Sequence, residues 1–480
     1  MKSNPLAARW KERGGYRDLL KMAFPLILST GATSVLHFID RMFLTWYSSA
    51  SIAAAMPAGM LNFAVMSIFI GTAGYVSTFV AQYYGAKRPD RIGPSLWQGL
   101  YIALAGGVVI FFLSFAARPI FALIGHDAAI MEEEIVYFSI LSKGAIFAIA
   151  APAMSGFFSG RGQNWPVMWA NVIMMTVNLV LDYFFIFGRA GLPAMGIAGA
   201  AYATVIASAC SLLFYVSIAF RKKYNQKYNT LGGFKFDRQL IGRMIRYGLP
   251  SGVQFLIDVS GFTVFLLLVG KIGADELAAT SITFNINTLA FMPMIGFGIA
   301  ISVLVGQFQG EDKPGRAERS VYSGAHLCFF YMTLIAISYV AFPQLYISAF
   351  AAKADPVAFQ DIGRFITVLL RFVAVFTLFD TMNIVFASAL KGAGDTRFVM
   401  IMIIVLSIGG LTIPSIIVIS FLNAGIFAAW YIVSGYVIIL AISFLLRFLT
   451  GKWKTMKVIE KGEAPIPVKL PAAPASEVEV

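Results

Sequence analysis

Twelve mostly apolar stretches, each long enough to cross a bilayer, follow one another along this chain of 480 residues. Their approximate limits are 19–47, 52–84, 95–117, 135–158, 165–188, 196–220, 243–270, 277–309, 321–349, 362–390, 398–421 and 425–449. About 20 helical residues span the hydrocarbon core of a membrane. With no water there, only helices or closed barrels satisfy the backbone N–H and C=O groups. Runs of this length predict an all-α membrane protein with twelve transmembrane helices. Several exceed the minimum, so tilted or bent helices are expected. The chain is 59% hydrophobic and 13% charged, with a mean hydropathy of +0.77, which excludes a soluble enzyme. Cys210 and Cys328 both lie inside apolar runs, so neither a disulfide framework nor a cysteine metal site is expected. The chain opens on a basic polar stretch, and its first apolar run is too long for a signal peptide.

Charge placement sets the orientation. The net charge of +13 would point to nucleic acid or an anionic surface in a soluble protein, but here the basic residues segregate by side and no nucleic-acid partner is expected. Of the 37 Lys and Arg, 29 lie in, or within about one turn of, the amino-terminal segment, the even-numbered connections and the carboxy-terminal tail. Arg118, Arg189, Lys271 and Lys353 fall on the other side. The positive-inside rule therefore places both termini in the cytoplasm. The domain reading is a cytoplasmic segment 1–16, a first lobe 17–220, a basic linker 221–240, a second lobe 241–450 and a tail 451–480. That tail, rich in Pro, Ala and Glu, is expected to be disordered.

The sequence also repeats. A shift of 225 residues lays Pro25 on Pro250, Gly71 on Gly296, Ser77 on Ser302, Gln82 on Gln307, Gly85 on Gly310, Pro89 on Pro314 and Arg91 on Arg316 without a gap. Between positions 53 and 91 there are 11 identities in 39. Gly160 and Gly162 match Gly392 and Gly394 at a shift of 232. Two homologous six-helix bundles follow, related by a pseudo-twofold axis along the membrane normal, because an even number of crossings returns the chain to its starting side. Folds of this kind place substrate between the halves. Pro25 and Pro250 are either simply tolerated within their helices or, if functional, mark where the first helix of each half bends.

Four acids lie deep inside apolar runs: Asp40, Asp182, Asp258 and Asp380. An ionised aspartate at a helix centre costs about 2.5 to 3.5 kcal/mol on insertion scales, so function is the default explanation. The alternative is structural ion pairing with Arg41, Lys143, Arg364 or Arg371. Asn178 and Asp182 are four apart and share a helical face, where an amide and a carboxylate converge as hard oxygen donors suited to Na+ or H+. Thr33 and Asp40 share a face of the first span, while the repeat lays Asp258 on Thr33 and Phe265 on Asp40. The two halves have diverged in chemistry. A carboxylate held out of water takes up a proton or needs a cation, and a cationic substrate competes for the same charge, which suffices for exchange.

As a set, these features resemble the multidrug and toxic compound extrusion (MATE) family. They are the two six-helix halves, Pro25 with Asp40, the segment from Gln82 through Gly85 to Pro89, the Asn178–Asp182 pair, and the turns SGRGQN at 159 and KGAGDTR at 391. The resemblance covers roughly residues 17 to 450. It implies an inner-membrane antiporter that needs no cofactor, exports cationic, amphipathic compounds in exchange for Na+ or H+ as coupling ion, and works as a monomer. It further implies that Asp40, Asn178 and Asp182 bind the coupling cation in the first lobe, with Thr204 in GAAYAT supplying a hydroxyl. In a NorM-type branch, Asp258, eight residues after Pro250, and Asp380, twelve before Gly392, would add a second site. The sequence departs from that branch where Asp258 replaces a longer glutamate, where Phe376 stands in place of a tyrosine, and where Arg41 follows Asp40 directly.

Three rival functions are weighed against this one, the first a passive channel, which needs no pair of homologous halves with divergent acids. A lipid-linked precursor flippase of the same superfamily would carry additional spans and a basic cavity. An intramembrane aspartyl protease is raised by the string GAGD at 392–395, but Asp395 sits in a basic connection beside Thr396 and Arg397.

Overall fold

The computed structural model describes residues 9–124, 126–189, 191–351, 358–422 and 424–460, and among these every regular element is helical. The first half contains α1 (Tyr16–Tyr47), α2 (Ser49–Gly74), α3 (Val76–Gly85), α4 (Ile92–Leu113), α5 (Ala117–Ile124), α6 (Ala128–Lys143), α7 (Ala145–Ser159), α8 (Trp165–Phe187) and α9 (Gly196–Ala219). A short helix, α10 (Lys222–Tyr228), lies in the linker. The second half contains α11 (Arg238–Val269), α12 (Ala274–Gly310), α13 (Pro314–Ala341), α14 (Pro343–Ala351), α15 (Ala358–Ala393), α16 (Thr396–Leu406), α17 (Ile413–Ile416) and α18 (Ile426–Leu449). Eleven helical stretches are long and apolar enough to cross a membrane, and α6 with α7, bent by 45° at Gly144, supplies a twelfth.

Interruptions fall where the sequence cannot sustain regular helix. Pro414 has no N–H to offer the Gly410 carbonyl, and the helix loosens into π turns at Ser407–Thr412 and Ile417–Phe421 on either side of α17. Pro25 and Pro250 are buried inside α1 and α11, and both helices continue through them. Helix starts are set by local chemistry: Asp237 accepts the amides of Gln239 and Leu240 at 3.1 and 2.9 Å, and Ser48 accepts that of Ala50 at 3.2 Å.

The halves meet reciprocally. α1 packs against α12 and α2 against α11, so the first helix of each half lies on the second helix of the other. Small residues let these backbones approach. A Cβ on Gly71 would stand 2.6 Å from the Cα of Gly252, and one on Gly296 would stand 2.9 Å from the Ile27 nitrogen. At one end of the interface the repeat packs on itself: a Cβ on Gly85 would overlap the Gln307 carbonyl oxygen, and one on Gly310 would overlap that of Gln82. The Gln82 amide donates to the Gly392 carbonyl at 3.1 Å, and its counterpart Gln307 donates to the Gly160 carbonyl at 2.8 Å. Tyr75 adds a hydrogen bond to the Lys391 carbonyl at 2.7 Å.

This closed end carries the basic connections. Arg13 pairs with Glu311 at 2.8 Å, Arg91 with Asp237 at 3.0 Å and Lys454 with Glu318 at 2.8 Å, and Arg319 pairs with Glu12. Arg161 is buried in a cage of Phe157, Phe158, Tyr224 and Tyr228, its guanidinium carbon 3.8 Å from the Phe157 ring centre and 4.6 Å from that of Tyr228. The cage fastens the linker helix α10 to the first half.

The expectation of a disordered tail from 451 onward is corrected over 451–460. Residues Lys452–Thr455 form a 3-10 turn, and Trp453, Val458 and Ile459 are buried beneath the closed end. Residues 461–480 of that tail, residues 1–8 of the amino-terminal segment, and Lys353 lie outside the described residues.

Candidate functional site

Helix α8 packs against both α1 and α9, and this sandwich assembles the first-lobe site. Four-residue spacing puts Asn178 and Asp182 on one face of α8, where both are buried. Opposite them stands Asp40 of α1, half-buried, and beside them Thr204 of α9. The structure thus gathers all four residues expected in this lobe.

One orientation of the Asn178 amide satisfies both of its ends, with the nitrogen toward the two carboxylates, and the reverse holds only when a proton or cation sits among the oxygens. With its oxygen toward the acids, that oxygen stands 2.7 Å from Asp40 Oδ1 and 3.2 Å from Asp182 Oδ2. The amide nitrogen then donates to Thr204 Oγ1 at 3.4 Å. Turned over, the nitrogen donates to both carboxylates instead. The arrangement with the oxygen toward the acids brings three oxygens together and requires a proton or a cation among them; the other does not. Asp182 Oδ1 is buried without a hydrogen-bond partner, and the Thr204 hydroxyl donates to the Ala200 carbonyl at 3.0 Å, leaving its oxygen free to accept or to ligate.

A cavity of about 810 Å3 lies between the halves. Its walls come mainly from the first half, including Asp40, Asn62, Tyr137 and Thr204, with Val259, Thr263 and Ile299 from the second. Asp40 is the one acid of the four on this wall, and His37 and Arg41 line it too. Asp182 stands behind Asp40, away from the cavity.

In the second half, Asp258 of α11 accepts a hydrogen bond from Gln254 at 3.3 Å. Asp380 of α15 accepts one from Asn383 at 3.2 Å, and that amide also donates to the Val437 carbonyl at 3.3 Å. Asp258 lies within electrostatic range of Lys391 and of Asp380, and both acids lie within range of Tyr436 on α18. Phe376 packs on Trp430, their ring centres 6.2 Å apart. Neither acid lines the cavity.

Sequence reasoning overlooked Gln254, Asn383 and Tyr436. Helical spacing held the signal for the two amides, since Gln254 precedes Asp258 by four and Asn383 follows Asp380 by three, the same logic that singles out Asn178 beside Asp182. Tyr436 comes from a distant helix and left no local trace.

Among the described residues none of the four acids has a Lys, Arg or His nitrogen within 4.0 Å, so no direct ion pair with Arg41, Lys143, Arg364 or Arg371 forms. Arg364 pairs with Asp361 at 3.2 Å instead. The protease alternative fails, because Asp395 is held by Arg447 at 2.7 Å at the closed, basic end.

Comparison with known proteins fits this arrangement. The MatE family model matches residues 25–184 and 250–418, and its two starts are separated by the same 225 residues as the internal repeat. A probable multidrug resistance protein NorM of Agrobacterium fabrum is 28% identical over 389 residues, covering 80% of this chain and 82% of that protein. A protein of the same name from Pseudomonas aeruginosa is 28% identical over 460 residues, covering 93% and 91%. An outward-facing multidrug resistance MATE family transporter of the MOP superfamily superposes with a TM-score of 0.84 at 19% identity, covering 95% of this chain and all of that one. The chain belongs to the MatE family of membrane transporters and is not an enzyme.

Proposed function

We propose that this protein is a secondary antiporter of the bacterial inner membrane that exports cationic, amphipathic compounds in exchange for Na+ or H+. The observation that carries this reading is the double position of Asp40, which lines the cavity and shares Asn178 with Asp182. A drug cation in the cavity and a small ion in the oxygen cluster draw on one carboxylate. Occupancy of either therefore weakens the other.

The basic end, with both termini, faces the cytoplasm on this reading. The cavity is closed toward that side by the reciprocal glutamine and glycine contacts. Pro25 and Pro250 sit in the helices that must flex when access alternates, and a monomer suffices because both halves of the pathway lie in one chain. The multidrug resistance names of the relatives support export of small molecules. Against a hundredfold gradient, export costs about 2.7 kcal/mol. One ion exchanged for one monovalent cation is electrically neutral, and a second ion would add about 2.3 kcal/mol per 100 mV. Asp258 and Asp380, off the cavity, fit a second ion site.

The test is ethidium efflux from vesicles with Na+ and H+ gradients imposed separately, for the wild type and for Asp40→Asn, Asp182→Asn, Asp258→Asn and Asp380→Asn. Gradient-driven efflux by the wild type and its loss in Asp40→Asn and Asp182→Asn are expected. Efflux surviving all four changes would defeat the coupling assignment. Transport of a lipid-linked anion with no ethidium efflux would favour the flippase, for which Arg41 and His37 on the cavity wall would be the binding groups.

A further inference from the structure

The gate at the basic end is built from repeat-related parts, yet one of its two equivalent contacts carries an addition. Val458 donates its backbone N–H to Gln82 Oε1 at 2.9 Å, while the nitrogen of the same amide donates to Gly392 of the other half. The tail thus fixes which end of Gln82 faces across the interface. Its counterpart Gln307 has the Gly160 contact alone.

The rest of the segment is anchored on both halves. Trp453 is fully buried, stacks on Phe448 with ring centres 5.0 Å apart, and its carbonyl accepts from Gln309 at 2.6 Å. Lys454 pairs with Glu318 at 2.8 Å and Lys457 with Asp312 at 2.6 Å, both in the second half. Glu460 then crosses to the first half. It pairs with Arg88 at 2.9 Å and Arg91 at 3.4 Å, accepts from the Tyr83 hydroxyl at 2.7 Å, and pairs with Arg243 at the start of α11. One carboxylate therefore joins arginines from both halves.

We propose that residues 452–460 form a strap that holds the basic face of the transporter shut, with Glu460 as its fastening, and that this strap must release before the face can open. The inference relies on the proposed antiport only for the name of the side. Closure at this end is geometric: Gly85 and Gly310 leave no room for even a methyl group, and Glu460 ties together the segments that flank them. On this proposal, opening the face separates Arg88 and Arg91 from Arg243 and breaks the direct Arg91–Asp237 and Arg243–Tyr83 contacts as well, so Glu460 has to give up one set.

The experiment uses the full chain in lipid, with spin labels at Asp90→Cys and Gly315→Cys in a Cys210→Ala, Cys328→Ala background. These two label sites are repeat-related and exposed, and a Cβ at 315 meets nothing within 4 Å. The wild type is expected to give a short label-to-label distance. Glu460→Gln and, separately, Arg243→Gln should raise the fraction of a second, longer distance about fivefold. The distance needs no substrate, so it stands or fails apart from the multidrug reading. A distribution unchanged in both variants, even with a lowered melting temperature, would overturn the proposal by reducing the strap to packing.

Discussion

Two surroundings meet at Asp40, the cavity wall on one side and the Asn178–Asp182 pair on the other, and on the proposed function this gives the acids of the first lobe unequal tasks. Removing the Asp40 charge should weaken binding of a drug cation about tenfold or more, since hydrogen bonds and contacts to a charged group are worth about 1.5 to 3 kcal/mol. Asp182→Asn should leave ethidium affinity within about threefold at low Na+ while abolishing the dependence of efflux on the ion gradient, because Asp182 does not line the cavity. Ethidium fluorescence titration of the two variants, alongside efflux, separates these outcomes. At this scale the sequence was informative where chemistry is local. Acids in apolar runs stand out because their burial is costly, and helical spacing pairs Asn178 with Asp182. The same spacing holds Gln254 with Asp258 and Asn383 with Asp380. The approach of Asp40 to Asp182, and of Tyr436 to the second pair, depends on helix packing that no local pattern records.

Among the elements, apolar length gave the helices, since a bilayer leaves the backbone little choice. What length could not show is where a helix changes character. The break at Tyr75, the bend at Gly144 and the π turns around Pro414 lie inside runs that read as continuous. The tail was misread for a related reason. Its Pro, Ala and Glu composition describes residues 461–480, whereas the preceding stretch carries Trp453, Val458 and Ile459, enough apolar surface to dock. The close helix contacts make a sharp prediction. Gly85→Ala or Gly310→Ala should block closure of the basic face, because the added methyl would overlap a carbonyl oxygen of the opposite half. Efflux should fall at least about tenfold with insertion retained, measured by ethidium efflux and by the distance between labels at 90 and 315. Gly242→Ala, where a Cβ meets nothing within 4 Å, should leave both unchanged.

For the whole molecule, the repeat explains both the symmetry of the gate and the asymmetry of the sites. Packing residues such as Gln82 and Gln307 were kept in both halves, while Asp40 faces Phe265 and Asp258 faces Thr33 across the repeat. The strap adds a second asymmetry, and its electrostatics set a pH window. Partial burial alone would push the Glu460 carboxyl up from its ordinary 4.5, but the Tyr83 hydroxyl and the Arg243 guanidinium outweigh it and hold the group down at about 2. A carboxylate with a lowered folded value stabilises the strapped state fully above its free value and loses that contribution as pH falls through about 2. The distance between labels at 90 and 315 should therefore stay constant from about pH 5 to 8 if Glu460 alone governs it. A transition within that range would assign the titration to another group.

The central claim is that one carboxylate serves two cations, and competitive binding reads it most directly. Ethidium is titrated into the purified transporter in lipid at rising Na+, and at falling pH without Na+. The account predicts that one of the two series weakens ethidium binding in proportion to ion concentration up to saturation, and that the effect vanishes in Asp40→Asn. Ethidium affinity indifferent to both ions in the wild type would contradict it.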